Sequence, residues 1–248
     1  MGRAPSFAAD KYGEGAEGGT GPAWSNMELS DDAVRRALVV VAHPDDETLW
    51  AGGMILMHPS WRWRIVTLCR AGDPDRAPRF QRALARLGAT GAMADLDDGP
   101  EQVPLPPDEV ARAVLDLAGD GDYDLVLTHG PQGEYTRHLR HVEVSRAVAA
   151  CWRGGAIRAR ALWHFAYEDG GGAFPPRPAA DAERKVALPP TVWEQKRRII
   201  EDVYGFGPGS WERRAAPRVE SFRGAGTRDK AATLLSEVRT YREGVDAV

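Results

Sequence analysis

The chain lacks most of the features that would assign it quickly. It has only two cysteines, Cys69 and Cys151, in 248 residues, and neither belongs to a CxxC pair. That excludes a disulfide framework and predicts reduced, buried thiols in a cytoplasmic protein. No apolar run is long enough to cross a bilayer. The first thirty residues lack the charged start and apolar middle of a secretory signal. Basic residues are not in excess: 32 Lys and Arg against 36 Asp and Glu leave a formal charge of −4. There is therefore no electrostatic case for nucleic acid or an anionic membrane surface as partner. No internal repeat is visible. What remains is a chain with 43% hydrophobic residues, long enough to bury the core of one α/β domain.

Residues 1–30 are rich in glycine and small residues, show no periodicity, and read as a flexible arm. The remainder, 31–248, reads as one domain with a core over about 37–167 and a lid and helical extension over 168–248. Within the core, elements alternate. "ALVVVAH" is an apolar, β-branched run of the kind buried on both faces of a sheet. A helix with an acidic start follows, and its first acids suit the positive end of the helix dipole. Strand-like "WRIVTLCR", "YDLVLTHG" and "ARALWHFAY" then alternate with helix-spaced segments, two of which stop at Gly88 and Gly119. This order predicts an α/β, Rossmann-like architecture: a mostly parallel sheet flanked by helices, joined by right-handed crossovers. After Tyr167 a Gly/Pro-rich loop precedes a helix that Thr191 is placed to cap and a last helix over 227–244.

In such sheets, ligands bind beyond the carboxyl ends of the strands. His43, Asp45 and Asp46 stand at one such end. His129 stands at another, with His138 and His141 just beyond it in "RHLRH". Read singly, HPDD is a helix cap and HxxH a solvated surface pair. Together at two strand ends they offer imidazoles and a carboxylate for a divalent ion with open positions for water and substrate, a donor set suited to zinc and secondarily to ferrous iron. Such an ion lowers the pKa of bound water to about 7. Asp45 then stands ready as base. His138, if it stays off the ion, is a protonated acid or oxyanion stabiliser. Tyr135 is a candidate donor to a tetrahedral intermediate, and His129 a support behind the ligands. Trp50, one turn past Asp46, is either core or a rim platform for a sugar ring.

"AHPDDE" followed by HxxH after a "TH" strand resembles the PIG-L/LmbE family of metal-dependent N-deacetylases, over about 37–167. The resemblance implies His43, Asp46 and His141 as the metal ligands, with Asp45 as general base and His138 as acid or oxyanion stabiliser. It implies that Arg76 contacts the sugar and that Asp97 accepts a hydroxyl. It also implies a small-molecule partner, an N-acylated sugar or sugar conjugate. Leu139 and Arg140 depart from the usual HPDH-type sequence, which bears on substrate identity. The competing readings are an amidase for a larger acyl group and a ferrous oxygenase with two histidines and one carboxylate. A nucleotide binder is disfavoured, because "HPDDET" is acidic where a pyrophosphate needs glycines and free N–H groups.

Overall fold

The computed structural model describes residues 35–135 and 138–225; the expected arm and the expected helix over 227–244 lie outside these residues. The alternation is β1 (Arg36–Val41), α1 (Asp46–Met57), β2 (Arg62–Thr67), α2 (Arg76–Leu87), β3 (Thr90–Met93), α3 (Pro107–Ala118), β4 (Asp122–Thr128), α4 (Leu139–Arg153) and β5 (Arg158–Phe165). Five strands run parallel in the order β3-β2-β1-β4-β5. Chain order therefore reverses between β1 and β4, and that crevice is where a doubly wound sheet receives a ligand.

Both faces of the sheet are covered, which is why β1 reads as a continuous apolar run. Ala37, Val39 and Val41 pack with α1 and α2, while Leu38, Val40 and Ala42 pack with α3 and α4. Gly88 ends α2 in the left-handed region at φ 66°, a conformation that costs glycine no steric penalty.

Beyond β5 the structure departs from the expectation. The Gly/Pro-rich segment contains a two-stranded ribbon, β6 (Tyr167–Glu168) with β7 (Arg177–Pro178). Two further strands, β8 (Arg184–Ala187) and β9 (Val219–Gly224), pair antiparallel and extend the main sheet from β5. The helix near 190 is α5 (Pro190–Arg198), which continues into a π-helical turn at Ile199–Val203 before α6 (Trp211–Ala215). Thr191 does not cap it. Pro190 occupies the first helical position, where its missing N–H is no loss, and Thr191 lies inside the helix.

A buried ion pair within this extension is tied to the core through its carboxylate. Lys196 Nζ donates to Glu220 Oε1 at 2.6 Å, and both side chains are fully buried. The Glu220 carboxylate also accepts the backbone N–H groups of Gly53 and Met54 in α1, each at 2.7 Å. Lys196→Met should leave this carboxylate without its cation and destabilise the protein by about 3–5 kcal/mol. Urea melts of the single variant and of Lys196→Met/Glu220→Gln check this: the double variant should recover part of the loss. A loss below about 1 kcal/mol in the single variant, the range of an exposed pair, would mean the pair is energetically like a surface one.

Candidate active site

The segment 42–46 turns sharply out of β1. Asp45 takes φ 115°, a rare conformation for a residue with a side chain, which costs about 1–3 kcal/mol and is found where surrounding contacts enforce it. Here Glu47 enforces it. Its Oε2 accepts the Asp45 backbone N–H at 3.0 Å, while Oε1 accepts hydroxyls from Thr48 at 2.6 Å and Tyr204 at 2.7 Å. The Asp45 side chain caps nothing in α1. It points instead to Arg76, whose Nη1 donates to Oδ2 at 2.8 Å. Burial pushes the Asp45 carboxyl well above its ordinary range, Asp46 adds to this, and Arg76 offsets part of it.

Three donor atoms converge between β1 and β4. His43 Nδ1 lies 3.2 Å from Asp46 Oδ2, His141 Nε2 lies 3.3 Å from the same oxygen, and the two ring nitrogens are 3.2 Å apart. A tetrahedral ion with bonds of about 2.1 Å requires donor separations of about 3.4 Å, so the cluster fits a divalent ion. The hydrogen bonds behind it point lone pairs inward. Glu134 Oε2 accepts from His141 Nδ1 at 2.7 Å, which leaves His141 Nε2 unprotonated towards the centre. His43 Nε2 lies 3.3 Å from Asp98 Oδ1, leaving Nδ1 for the centre. Asp46 is held by the His43 backbone N–H at 2.9 Å and by the Trp50 indole N–H at 3.2 Å.

Other groupings nearby are less suited. His129 Nε2 is 3.5 Å from Asp46, but it accepts the Ala42 backbone N–H at 2.9 Å. Burial disfavours charge on His129 while Glu134 and Asp46 favour it; the Ala42 amide decides, because a protonated Nε2 could not accept. His129 is therefore neutral, with its Nδ1–H on Glu134 at 2.9 Å, and supports the centre from behind. Cys69 lies near His43 and Asp98, but burial pushes its thiol up to about 12. His43, His138 and His141 form the remaining set close enough to share an ion.

His138 closes one side of the cleft, its ring stacked 4.6 Å from that of His141. Burial, together with His141 and His43, lowers it to about 4. Burial thus works against the protonated His138 expected from the sequence. Tyr135 and Arg76 line the same cleft, which encloses about 230 Å³. Asp97 does not. It is exposed and faces Arg140, whereas its neighbour Asp98 points inward to His43 and to Arg70. Successive side chains of an extended segment point opposite ways. Trp50 is not a rim platform either: it is 0% exposed, and its indole orients Asp46.

Glu134, Glu47 and Asp98 were missed by sequence reasoning. Glu134 offered one faint signal, an acid between the strand-end His129 and the HxxH pair. It folds back because Gly130 donates its N–H to Glu134 Oε1 at 2.7 Å. A Cβ at Gly130 would lie 2.8 Å from the Phe165 carbonyl oxygen.

Fold and site together define a Rossmann-like α/β protein with a cluster of His and Asp side chains at the topological switch point, spaced as a divalent ion requires. Residues 38–152 match the PIG-L family, described as GlcNAc-PI de-N-acetylase. The chain is also similar to N,N′-diacetylchitobiose deacetylase from Pyrococcus horikoshii (TM-score 0.59, 14% identity, covering 82% of this chain and 89% of that one). It resembles teicoplanin deacetylase Orf2 in a zinc-inhibited form (0.55, 14%, 76% and 97%). A third similar structure is GalB, the 4-carboxy-2-hydroxymuconate hydratase from Pseudomonas putida KT2440 (0.52, 16%, 77% and 96%). At these identities the structures establish a shared fold. No helix among the described residues is long and apolar enough to cross a membrane.

Proposed function

We propose that this protein is a metal-dependent amide hydrolase that removes the acetyl group from an N-acetylglucosamine-type sugar or sugar conjugate. The observation that carries the reading is the convergence of His43 Nδ1, Asp46 Oδ2 and His141 Nε2 beside a strained, buried Asp45. The family described as GlcNAc-PI de-N-acetylase supports it. The fold alone does not choose the reaction, since a hydratase shares it.

His43, Asp46 and His141 would hold the ion. A divalent ion there supplies Lewis acidity, making water more acidic and a carbonyl carbon more electrophilic. Asp45 takes a proton from the attacking water, and its raised pKa makes it a stronger base than an ordinary aspartate. Arg76 holds the carboxylate in place. His138 donates its N–H towards the oxygen that gains charge as the carbonyl carbon becomes tetrahedral. When the C–N bond breaks, the proton held at Asp45 passes to the leaving nitrogen, giving acetate and a free amine. An oxygenase with two histidines and one carboxylate would have no use for Asp45. Zinc is the ion the donor set suits best, and the two free, buried cysteines suit a cytoplasmic location.

The test is acetate release from a panel of N-acetylated sugars and conjugates, by protein reconstituted separately with Zn²⁺ and Fe²⁺. Turnover that needs a divalent ion and yields stoichiometric acetate and amine is expected. If longer acyl amides are cut and acetamides are not, the rival amidase reading replaces this one.

A further inference from the structure

Asp45 is held in part by a turn that lies well beyond residues 38–152. The π-helical turn Ile199–Val203 runs into Tyr204, whose N–H donates to the Ile199 carbonyl, five residues back, at 3.1 Å. A turn wider by one residue rotates each later side chain by about 100° from its α-helical direction. Tyr204 is buried against α1, and its hydroxyl donates to Glu47 Oε1 at 2.7 Å. Gly205 follows at φ 83°, and a Cβ there would collide with Arg79 Nη1. Arg79, from α2, donates through that nitrogen to the Tyr204 carbonyl and locks the turn. Phe206 comes next. Its N–H donates to the Ile200 carbonyl at 3.1 Å, and the Arg76 guanidinium lies over its ring at 4.9 Å.

The two side chains of this turn reach one residue by two routes. Glu47 takes the Tyr204 hydroxyl on one carboxylate oxygen and the Asp45 N–H on the other. Arg76 rests on Phe206 and donates to the Asp45 carboxylate. The first route fixes a backbone and the second a side chain. Both matter, because a residue at φ 115° keeps that conformation only while its surroundings over-determine it. Neither Tyr204 nor Phe206 lines the cleft, so neither is placed to touch substrate.

We propose that the 204–206 turn is a brace for the general base, with Tyr204 acting through Glu47 and Phe206 through Arg76 as positioning residues for Asp45. The proposal rests on the hydrolase reading for what Asp45 does, but the brace itself can be tested without turnover. Hydrogen exchange of the Asp45 amide is followed by NMR in full-length protein. kcat and KM are then measured with Zn²⁺ on the N-acetylated sugar that wild type cleaves fastest. Tyr204→Phe drops one oxygen and keeps the ring. It should speed exchange at the Asp45 amide about tenfold, as the loss of one supporting hydrogen bond allows. It should also lower kcat by about 10- to 100-fold, the cost of a slightly misplaced reacting group, and leave KM as it was. In an Asp45→Asn background the same substitution should cost nothing further, because its effect passes through Asp45. Phe206→Leu tests the other route and carries the test if Tyr204→Phe melts early: kcat should fall while the Asp45 amide exchanges as in wild type. Unchanged exchange at Asp45 in Tyr204→Phe, an equal further loss in the Asp45→Asn background, or wild-type kcat in Phe206→Leu overturns the brace. Faster exchange in Tyr204→Phe, with no acetate released by wild type from any N-acetylated sugar or conjugate, overturns the hydrolase reading and leaves the brace standing.

Discussion

His141→Ala and Asp46→Ala proteins should each lose the divalent ion that wild type retains, and all acetamide hydrolysis with it. Each variant removes one of three donor atoms that stand 3.2–3.3 Å apart. Glu134→Gln should lie between wild type and these variants. It keeps every ligand but replaces the carboxylate that accepts from both His141 Nδ1 and His129 Nδ1. Losing such a partner behind a ligand typically costs about 10–100-fold in affinity, and losing a ligand should exceed that. Metal content of the purified proteins and competition against a chelator measure the series. Should His141→Ala bind as tightly as wild type, the ligand assignment is wrong. Should His138→Ala be the stripped variant while Asp46→Ala retains its ion, the three imidazoles of His43, His138 and His141 form the true set.

Asp45→Asn should keep its ion and lose about 10²–10⁴-fold in turnover, the usual cost of removing a general base. The substitution preserves size, and asparagine tolerates the positive φ at this position better than most residues. The fold should therefore survive, as a thermal melt will report. An amide cannot take the water's proton, and it gives up the charge that pairs with Arg76 at 2.8 Å. The pH profile gives a second check. Only ionised Asp45 accepts a proton, so turnover in wild type should rise with pH through the Asp45 pKa. Burial and Asp46 raise that pKa, so the limb should lie above the ordinary aspartate range and should vanish in Asp45→Asn. A metal-replete Asp45→Asn protein with near-normal turnover would remove Asp45 from the mechanism.

Much of the core was legible because its signals are local. A β-branched apolar run followed by acids reads as a buried strand feeding a helix, and β1 with α1 has that form. Repeated alternation implied a mostly parallel sheet, and strand ends implied where polar groups would gather. The antiparallel pair β8 and β9 was not legible. β9 carries Glu220, whose charge breaks an apolar pattern and makes sense only once Lys196 and two N–H groups of α1 surround it.

The same division runs through the site. Composition and motif determined by themselves that His43, Asp45, Asp46, His138 and His141 deserve a role, because chemically unusual groups at strand ends are visible one residue at a time. Only the tertiary structure decided which nitrogen of each imidazole faces the centre, and that Asp98 rather than Asp97 turns inward. It also decided that burial opposes charge on His138 and that Trp50 is core. Each of these depends on burial or on a partner that only the fold brings into contact: Glu134 against His141, Ala42 against His129, Asp98 against His43. Hydrogen-bond direction and desolvation are properties of an environment, and an environment exists only after distant segments have packed together.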